Sequence, residues 1–374
     1  GLGDISYSLY LVHWPLLAFA ANAWVSPVPG RVRLVLVVLA VVLAAAMYRW
    51  VEQPGRRLAL SPNRRTLAVA LGTSAILVVG AEGLYRWQSS GDAVDYASLR
   101  RANSGLSDRC DYAYTFEDRP ECRTSSLPRV MVWGDSYAMQ WVAGINATLP
   151  GKDMVQTNRA SCGPLLGISM LGTGDWYNQD WAEKCIRFND DVLAYLSRSQ
   201  SVEVVVLASV FGQYLPGSRV ISRDAITGHI GEMMPTEALA TEALVRTIAG
   251  IRALGRRVVI MAPPPAASGV DFGRCLELRA QRIPVLGADH ADCSIDEARY
   301  LADAAPVHAL LRRVAREADV PVFWPDEFLC RQGTCMVELD GVALYRDTGH
   351  ISNAGSRLLG ERLHLAERLE QMAR

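Results

Sequence analysis

The first ninety residues carry three long apolar stretches, and this feature restricts the fold of the chain more than any other. The stretches cover residues 9–25, 34–50 and 67–85. Each is about as long as a membrane-spanning helix requires, roughly 17–25 residues, and Trp and Tyr lie near their ends, as in the aromatic belts of membrane proteins. Buried core helices are the alternative. We expect residues 1–88 to form three transmembrane helices.

The arginines predict how these helices are oriented. The segment between the second and third stretches contains Arg56, Arg57, Arg64 and Arg65 but only one acid. Arginine-rich loops stay on the cytoplasmic side of a membrane. The third helix then leaves the cytoplasm, and everything after Trp87 lies outside. We therefore expect a multi-pass protein, in contact with the lipid bilayer, whose C-terminal part is outside the cytoplasm.

All eight cysteines lie beyond the third stretch. An even set confined to the outer part is typical of an oxidising compartment. Each disulfide would close a local loop and contribute on the order of 2–4 kcal/mol. A zinc site is the alternative, but no C-x-x-C pair with a matching partner occurs, so we expect no metal. We expect the sequential pairing, which joins Cys110 to Cys122, Cys162 to Cys185, Cys275 to Cys293 and Cys330 to Cys335.

The start of the chain and its net charge bear on its partners. The chain begins at Gly1 without an initiator methionine, and no positively charged leader precedes the first apolar stretch, so this is not a signal peptide. The start is typical of a cut just before a helix of a longer membrane protein. We expect the missing upstream membrane helices on the same chain or on a partner. The net charge of −1 gives no basic excess, so we expect no nucleic acid as partner.

From residue 129 onward, short β-branched runs alternate with helical periodicity. Near-continuous apolar strands separated by helices indicate a parallel sheet covered on both faces. Residues 89–128 are polar and weakly periodic, which predicts an extramembrane linker with a small disulfide-closed extension, and residues 352–372 predict one long final helix. We expect an α/β domain over residues 129–374, with five strands in doubly wound order and ligands at their carboxyl ends. The five runs are RVMVWG, KDMVQT, VEVVVLAS, RRVVIMAPPP and VPVFWP.

The stretch RVMVWGDSYAMQW carries the first candidate for chemistry. Gly134, Asp135 and Ser136 follow the first predicted strand and begin a helix. A serine on such a turn exposes its Oγ, while its own backbone N–H points at the group that the oxygen attacks. Ser136 is therefore a candidate nucleophile. An ordinary helix N-cap is the alternative.

The stretch LYRDTGHISNAGSRLL carries the second candidate. Asp347 and His350 enter the final helix at a spacing that brings side chains together on one side of a helical turn. The imidazole can then receive the proton of Ser136, while Asp347 fixes its tautomer and stabilises the imidazolium. An acid at a helix start and a surface histidine are the alternative. Both motifs are expected at carboxyl ends of strands of one sheet, which favours a shared site.

With these two motifs, residues 129 to 374 resemble the SGNH/GDSL hydrolase superfamily. The resemblance implies a three-layer, flavodoxin-like fold with a five-stranded parallel sheet. It also implies that Ser136 is the nucleophile, with its backbone N–H in the oxyanion hole, that His350 is the general base, and that Asp347 orients His350.

The superfamily completes its oxyanion hole with a glycine after the second strand and an asparagine after the third. Gly163 is the candidate for the glycine, with Ser161 as the alternative. Val210 or Phe211 occupies the place expected for the asparagine. Gln213 is the candidate substitute, but the stronger inference is an altered oxyanion hole.

The membrane part has a second resemblance. GDISYSLYLVHWPLL, an apolar span and VEQPGRR look like the C-terminal end of the membrane acyltransferase family three, many members of which carry a periplasmic SGNH domain. CRQGTC before LYRDTGHIS is similar to those fused domains. This resemblance implies O-acyl transfer, with acetyl expected, to a glycan acceptor of the bacterial envelope or a secreted glycan, such as lipopolysaccharide O-antigen. It also implies a place in the bacterial inner membrane, with a periplasmic C-terminal domain, an acyl donor supplied through the membrane domain and no other cofactor.

Two other functions stay open at the level of sequence. Water in place of the sugar would make the same site a carbohydrate esterase. A domain that binds glycan or partner subunits without reacting is favoured by the missing asparagine, whereas intact Ser136, Asp347 and His350 count against it. Four aromatic residues form either a rim on which carbohydrate stacks or part of the core: Trp176, Tyr177, Trp181 and Tyr214.

Overall fold

The computed structural model describes residues 3–59, 64–89, 94–224 and 226–374. It divides into two compact units, of which the first contains Gly1–Tyr96 with Gly269–Cys293 and the second contains Ala97–Ser268 with Ser294–Arg374. Residues 60–63 of the predicted cytoplasmic loop and residues 90–93 at the start of the predicted linker lie outside the described residues.

Helices make up most of the first unit, and they cover the three predicted apolar stretches. Among the described residues, one continuous helical segment, Gly30–Arg56, is long and apolar enough to cross a membrane by length and composition. A shorter apolar segment, Leu67–Gly83, lies within the helix Arg64–Ser89. The first-unit elements are α1 (Ser6–Ala23), α2 (Gly30–Met47), a π-helical turn (Tyr48–Glu52), α3 (Gln53–Ala59) and α4 (Arg64–Ser89), followed at the boundary by α5 (Tyr96–Leu99).

Within this unit, the connection between α1 and α2 is hydrogen-bonded to the later segment Gly269–Cys293. The backbone N–H of Val25 donates to the Leu286 carbonyl at 2.9 Å, and the N–H of Asp271 donates to the Val25 carbonyl at 2.6 Å. Trp24 and Leu286 form an isolated parallel bridge. A segment far along the chain therefore completes the backbone hydrogen bonding of this connection.

A five-stranded parallel sheet forms the core of the second unit, with the spatial order β2 (Met154–Asn158), β1 (Val130–Gly134), β4 (Val204–Ala208), β7 (Arg257–Met261) and β9 (Val322–Phe323). This confirms the predicted doubly wound α/β sheet. β1 and β4 are buried at every residue, as expected for strands covered on both faces. The strands are β1 (Val130–Gly134), β2 (Met154–Asn158), β3 (Ile168–Met170), β4 (Val204–Ala208), β5 (Val220–Arg223), β6 (Ile230–Met233), β7 (Arg257–Met261), β8 (Ile295–Asp296), β9 (Val322–Phe323), β10 (Cys330–Arg331), β11 (Thr334–Cys335), β12 (Glu338–Leu339) and β13 (Val342–Ala343).

Helices cover both faces of the sheet. α6 packs with α12 and α13, while α8 packs with α7 and α10. The predicted final helix is two helices instead, because the left-handed backbone of His364 (φ 48°) separates α12 from α13. The remaining helices are α6 (Ser136–Thr148), α7 (Gln179–Arg198), α8 (Glu237–Ala253), α9 (Phe272–Ala280, in the first unit), α10 (Glu297–Ala318), α11 (Asp326–Leu329), α12 (Asn353–Leu363) and α13 (Leu365–Met372).

The part of the predicted linker that follows residue 97 runs along β2, the edge strand of the sheet. The Tyr112 N–H donates to the Asn158 carbonyl at 3.1 Å. The Gln156 side chain accepts from the Leu106 N–H at 2.9 Å and donates to the Ser104 carbonyl at 2.8 Å. Buried polar groups need such partners, so this segment explains how an edge strand with polar side chains is fully buried.

The structure contains all four expected disulfide bonds. Cys110–Cys122 closes the extension beside β2, and Cys162–Cys185 joins the loop after β2 to α7. Cys275–Cys293 closes the segment that belongs to the first unit, and Cys330–Cys335 links β10 to β11. The sequential pairing predicted from the sequence is confirmed.

Candidate active site

Ser136 is the first residue of α6, directly after the turn that ends β1. The turn requires Gly134, whose φ is +155°, because a Cβ at this position would lie 1.8 Å from the carbonyl oxygen of Ala208 in β4. Asp135 is the N-cap of α6, and its Oδ1 accepts from the Tyr137 N–H at 2.8 Å. The helix-cap role therefore belongs to Asp135, and the Ser136 hydroxyl is directed elsewhere.

Asp135 also ties the serine turn to the loop after β4. Its Oδ2 accepts from the Ser209 hydroxyl at 2.6 Å and from the Val210 N–H at 3.1 Å. The side chain is fully buried, and this burial raises the pKa of Asp135 even though the hydrogen bonds from Ser209, Tyr137 and Val210 lower it. Sequence reasoning did not assign this role to Asp135, although the residue lies inside the recognised motif.

The Ser136 hydroxyl lies 2.9 Å from His350 Nε2. His350 Nδ1 lies 3.0 and 3.1 Å from the two carboxylate oxygens of Asp347. A ring nitrogen that faces a carboxylate carries the proton, which leaves Nε2 free to accept from Ser136. The structure therefore brings the three residues together in the order that a serine nucleophile, a general base and an orienting acid require.

The position of Asp347 is fixed by its own loop. Its Oδ1 accepts from the backbone N–H groups of Gly349 at 3.0 Å and His350 at 2.8 Å, and the Arg346 guanidinium lies 3.2 Å from Oδ2. Burial raises the pKa of Asp347, but the hydrogen bond and charge of His350 and the two N–H groups lower it more, so that it lies well below the usual range. The carboxylate is therefore ionised at neutral pH.

The loop that carries Asp347 and His350 differs from the expected helical turn. Tyr345 and Ile351 form an antiparallel bridge across its base, and α12 begins only after Ser352, whose Oγ accepts from the Gly355 N–H at 2.9 Å. Because Ser352 caps α12, the helix begins only after His350. Asp347 and His350 therefore lie in a short loop, where their side chains meet.

Two neighbours of this loop were not found from the sequence. The Tyr137 ring packs against the His350 ring with centroids 4.8 Å apart, and Arg346 contacts Asp347 as described above. Tyr137 lies next to Ser136 on α6, so its position follows from the serine turn. Neither residue belongs to a spacing pattern that would have indicated its role.

Gly163 lies in the loop after β2, but its backbone N–H donates to the Tyr214 hydroxyl at 2.8 Å. A Cβ on Gly163 would lie 2.7 Å from the Tyr214 ring and 2.8 Å from the Ser209 hydroxyl, so a glycine is required here. The Gly163 carbonyl accepts from the buried Asn189 side chain at 2.9 Å. Both backbone groups of the predicted oxyanion residue are thus engaged within the protein.

Ser161 and Gln213 contact each other. The Gln213 side-chain amide donates to the Ser161 carbonyl at 2.9 Å, and Ser161 has a left-handed backbone with φ 59°. At the place expected for the asparagine, the Val210 N–H is bound to Asp135, and Phe211 is fully buried with φ 54°. The Gln213 amide therefore holds the loop that follows β2.

The four candidate rim aromatics separate into two groups. Trp176, Tyr177 and Trp181 line a pocket of about 990 Å³. Tyr214 is fully buried and bonds to Gly163 instead. Tyr214 is therefore part of the core, and Trp181 lines the pocket while also packing against the hydrophobic core.

Comparison with known proteins gives one family match and several structural matches. Residues 109–364 match the family described as "SGNH domain (fused to AT3 domains)". No curated protein matches the chain. The periplasmic domain of a lipopolysaccharide acetyltransferase from Salmonella ser. Paratyphi A is 17% identical, with 75% of this chain and 96% of that chain covered and a TM-score of 0.44. An acetyl xylan esterase is 14% identical, with 64% and 98% covered and a TM-score of 0.37.

The family match covers more than half of the chain and includes Ser136, Asp347 and His350. It also includes the five strands of the parallel sheet. The chain belongs to the family of SGNH domains that are fused to AT3 domains.

Proposed function

We propose that this chain transfers an O-acyl group, most simply acetyl, to a hydroxyl of a bacterial envelope or secreted glycan such as lipopolysaccharide O-antigen. The observation that carries the proposal is the 2.9 Å contact between Ser136 Oγ and His350 Nε2, with an ionised Asp347 on the other ring nitrogen. In the first step, His350 takes the Ser136 proton while Oγ attacks the acyl carbonyl. The imidazolium then gives this proton to the departing donor, which leaves an acyl-serine.

The second step repeats this chemistry with the glycan as nucleophile. A sugar hydroxyl gives its proton to His350 Nε2, and its oxygen attacks the carbonyl of the acyl-serine. Ser136 recovers the proton when the bond between the acyl group and Oγ breaks, and the acyl group stays on the sugar. Water in place of the sugar releases the free acid, so access of water to the acyl-enzyme separates a transferase from an esterase.

We assign the oxyanion hole to the backbone N–H of Ser136 and, on the loop after β2, to that of Ser161. The Ser136 N–H belongs to the first turn of α6, where helices leave N–H groups without an intrahelical partner. Among the described residues, the Gly163 N–H and the Gln213 amide both have acceptors inside the protein. Gly163 and Gln213 therefore act as positioning residues in this proposal.

We also propose that residues 1–88 are the last helices of an acyltransferase membrane domain in the bacterial inner membrane. The apolar helix Gly30–Arg56 and the family's fusion to AT3 domains support this placement. In this arrangement the domain with Ser136 lies in the periplasm, and the membrane domain supplies the acyl donor.

The test uses the detergent-solubilised chain and p-nitrophenyl acetate as donor. We expect Ser136→Ala to lower the rate of p-nitrophenol release at least a hundredfold, since general-base catalysis alone contributes about 10²–10⁴. Ser197→Ala, on the exposed face of α7, is the matched control and should keep the parent rate. Mass spectrometry of the trapped protein should find acetyl on Ser136. An added glycan that gains acetyl at the expense of free acetate identifies a transferase, whereas acetate as the sole product identifies an esterase.

A glycan-binding domain without chemistry is the second candidate. It is favoured by one observation, which is that the N–H of Gly163 is already bound to the Tyr214 hydroxyl. Equal rates of p-nitrophenol release for the parent and Ser136→Ala, with no acetyl on the serine, would overturn the catalytic proposal and favour this candidate.

A further inference from the structure

We propose that the pocket beside α7 is a binding subsite for one uncharged pyranose unit of the acceptor glycan. The inference rests on the proposed function, because it gives the acceptor glycan of that reaction a binding site on the same domain. The pocket has a volume of about 990 Å³. It is formed by three segments of the second unit, residues 111–114, residues 159–160 and residues 172–184.

Trp176 is the most conspicuous feature of this pocket. Its side chain is 87% exposed, although an exposed indole leaves a large apolar surface in water. Tyr177 beside it is 38% exposed and packs edge-on against Trp181, with ring centroids 5.0 Å apart. An exposed flat ring next to fixed aromatic neighbours fits the apolar C–H face of a pyranose ring.

The turn that presents Trp176 is held by hydrogen bonds. The Gly172 N–H donates to the Tyr177 carbonyl at 2.8 Å. Asn178 caps α7 by accepting from the Trp181 N–H at 3.0 Å, and its amide donates to the Asp175 carbonyl at 3.1 Å. The backbone that carries Trp176 is therefore held in place, which reduces the entropic cost of binding.

Arg159 lines the pocket behind the Trp181 ring. The residue is 2% exposed, and its guanidinium lies over the Trp181 ring at 4.8 Å from the centroid. Its terminal nitrogens donate to the Tyr114 carbonyl at 3.2 Å and the Trp181 carbonyl at 3.5 Å. Arg159 therefore holds the Trp181 ring in place and forms a fixed wall of the pocket.

The charges around the pocket indicate an uncharged ligand. Two cations, Arg159 and Lys184, are balanced by two carboxylates, Asp111 and Asp180. Lys184 Nζ lies 2.5 Å from Asp180 Oδ2 and 5.0 Å from the centroid of the Tyr114 ring. A phosphate or carboxylate ligand would need a net positive site, whereas sugar hydroxyls both donate to carboxylates and accept from cations.

The pocket is connected to the serine turn through the backbone. Arg159 directly follows β2, and its N–H donates to the Gly134 carbonyl at 3.1 Å. Gly134 and Asn158 are paired at the ends of their strands. One wall of the pocket therefore begins at the carboxyl end of β2, next to the end of β1 that leads into Ser136.

The test measures sugar binding without turnover. Methyl glycosides of glucose, galactose, mannose and rhamnose are offered to the full chain, solubilised in a detergent without a sugar headgroup. Binding is followed by saturation-transfer NMR, with glucose 6-phosphate as the charged probe. We expect at least one neutral glycoside to bind more tightly than glucose 6-phosphate. Trp176→Ala should weaken that binding about tenfold, and Trp176→Phe should retain most of it. Leu127→Ala, which removes an exposed apolar side chain outside the pocket, is the control and should bind as the parent does.

Each outcome separates the subsite from the catalytic proposal. Absence of binding by every neutral glycoside, or equal binding by the parent and Trp176→Ala, would overturn the subsite even where p-nitrophenyl acetate hydrolysis depends on Ser136. Tighter binding of glucose 6-phosphate than of every glycoside would also overturn it. Trp176-dependent binding without Ser136-dependent hydrolysis would establish the subsite and overturn the acyl-transfer function on which it was argued.

Discussion

Replacement of Asp347 by Asn tests whether the carboxylate stabilises charge on His350 during the reaction. The change keeps the size of the side chain, and its oxygen can still accept from the N–H groups of Gly349 and His350, which now lie 3.0 and 2.8 Å from Oδ1. It removes the negative charge beside His350 Nδ1, where Oδ2 lies at 3.0 Å. The loop is therefore expected to keep its shape while the imidazolium loses its counter-charge.

The size of the effect follows from this geometry. Both side chains are about a quarter exposed, so an effective dielectric constant of about 20 is suitable, and unit charges about 4 Å apart then interact by about 4 kcal/mol. Since 1.36 kcal/mol corresponds to a tenfold change in rate, the loss is about a thousandfold. An amide N–H facing Nδ1 also favours the wrong tautomer, which can extend the loss to about ten-thousandfold.

The assay is the rate of p-nitrophenyl acetate hydrolysis at neutral pH, with the parent, Asp347→Asn and Asp340→Asn compared at equal folded concentration. Asp340 pairs with Arg362 at the surface, so its replacement makes the same chemical change away from Ser136 and should alter the rate less than about twofold. If Asp347→Asn kept more than a tenth of the parent rate while circular dichroism showed an intact fold, the assigned role of Asp347 would be refuted.

Three further predictions concern stability and the Gly163 loop. Gly134→Ala should lower the free energy of unfolding by about 3 kcal/mol or more in urea titrations, because the new Cβ would lie 1.8 Å from a backbone carbonyl oxygen of β4. Gly174→Ala is the control and should change this free energy little, since no heavy atom of the described residues lies within 4 Å of the added Cβ. Tyr214→Phe leaves the Gly163 N–H without its acceptor and should cost about 1–3 kcal/mol of stability without raising the hydrolysis rate. A faster hydrolysis rate in this variant would return Gly163 to the oxyanion hole. Folding lowers the pKa of Asp347, so its carboxylate stabilises the folded state above its unfolded pKa of about 3.9, and this stabilisation is lost as the pH falls from there towards the lower pKa of the folded state. The urea midpoint should therefore fall less between pH 5 and pH 3 for Asp347→Asn than for the parent.

The parallel sheet was predictable because its strands are short, apolar and β-branched. β1, β4 and β7 are read directly from runs such as RVMVWG and VEVVVLAS, since strands buried on both faces need no alternation. The small antiparallel pairings were not predictable in this way. Strands of two residues, such as β12 and β13, are too short to carry a period, and their partners are chosen by tertiary contacts.

The segment Gly269–Cys293 shows that contacts between distant parts of the chain are hard to predict from the sequence. The sequence predicts one domain over residues 129–374, but this segment groups with the N-terminal helices, and its backbone bonds to Val25. Backbone groups carry no sequence signature, so a pairing that depends on the N–H of Asp271 and the carbonyl of Val25 leaves no trace in the residue types. The disulfide Cys275–Cys293 indicated a closed loop and gave no sign of what the loop contacts.

The residues of the candidate site were predictable where they directly follow a strand of the parallel sheet or were expected to do so. Ser136 and His350 were found because a parallel sheet places the ends of its strands at one edge, and the structure brings their side chains to 2.9 Å. The surroundings of Gly163 were not predictable, because the residue that binds its N–H, Tyr214, arrives from the loop after β4. At the place expected for the asparagine of the superfamily, the Val210 N–H is bound to Asp135 instead. Because the loop after β4 holds the serine turn, the proposed mechanism relies on α6 and the loop after β2 to stabilise charge on the acyl oxygen, and above all on the Ser136 N–H.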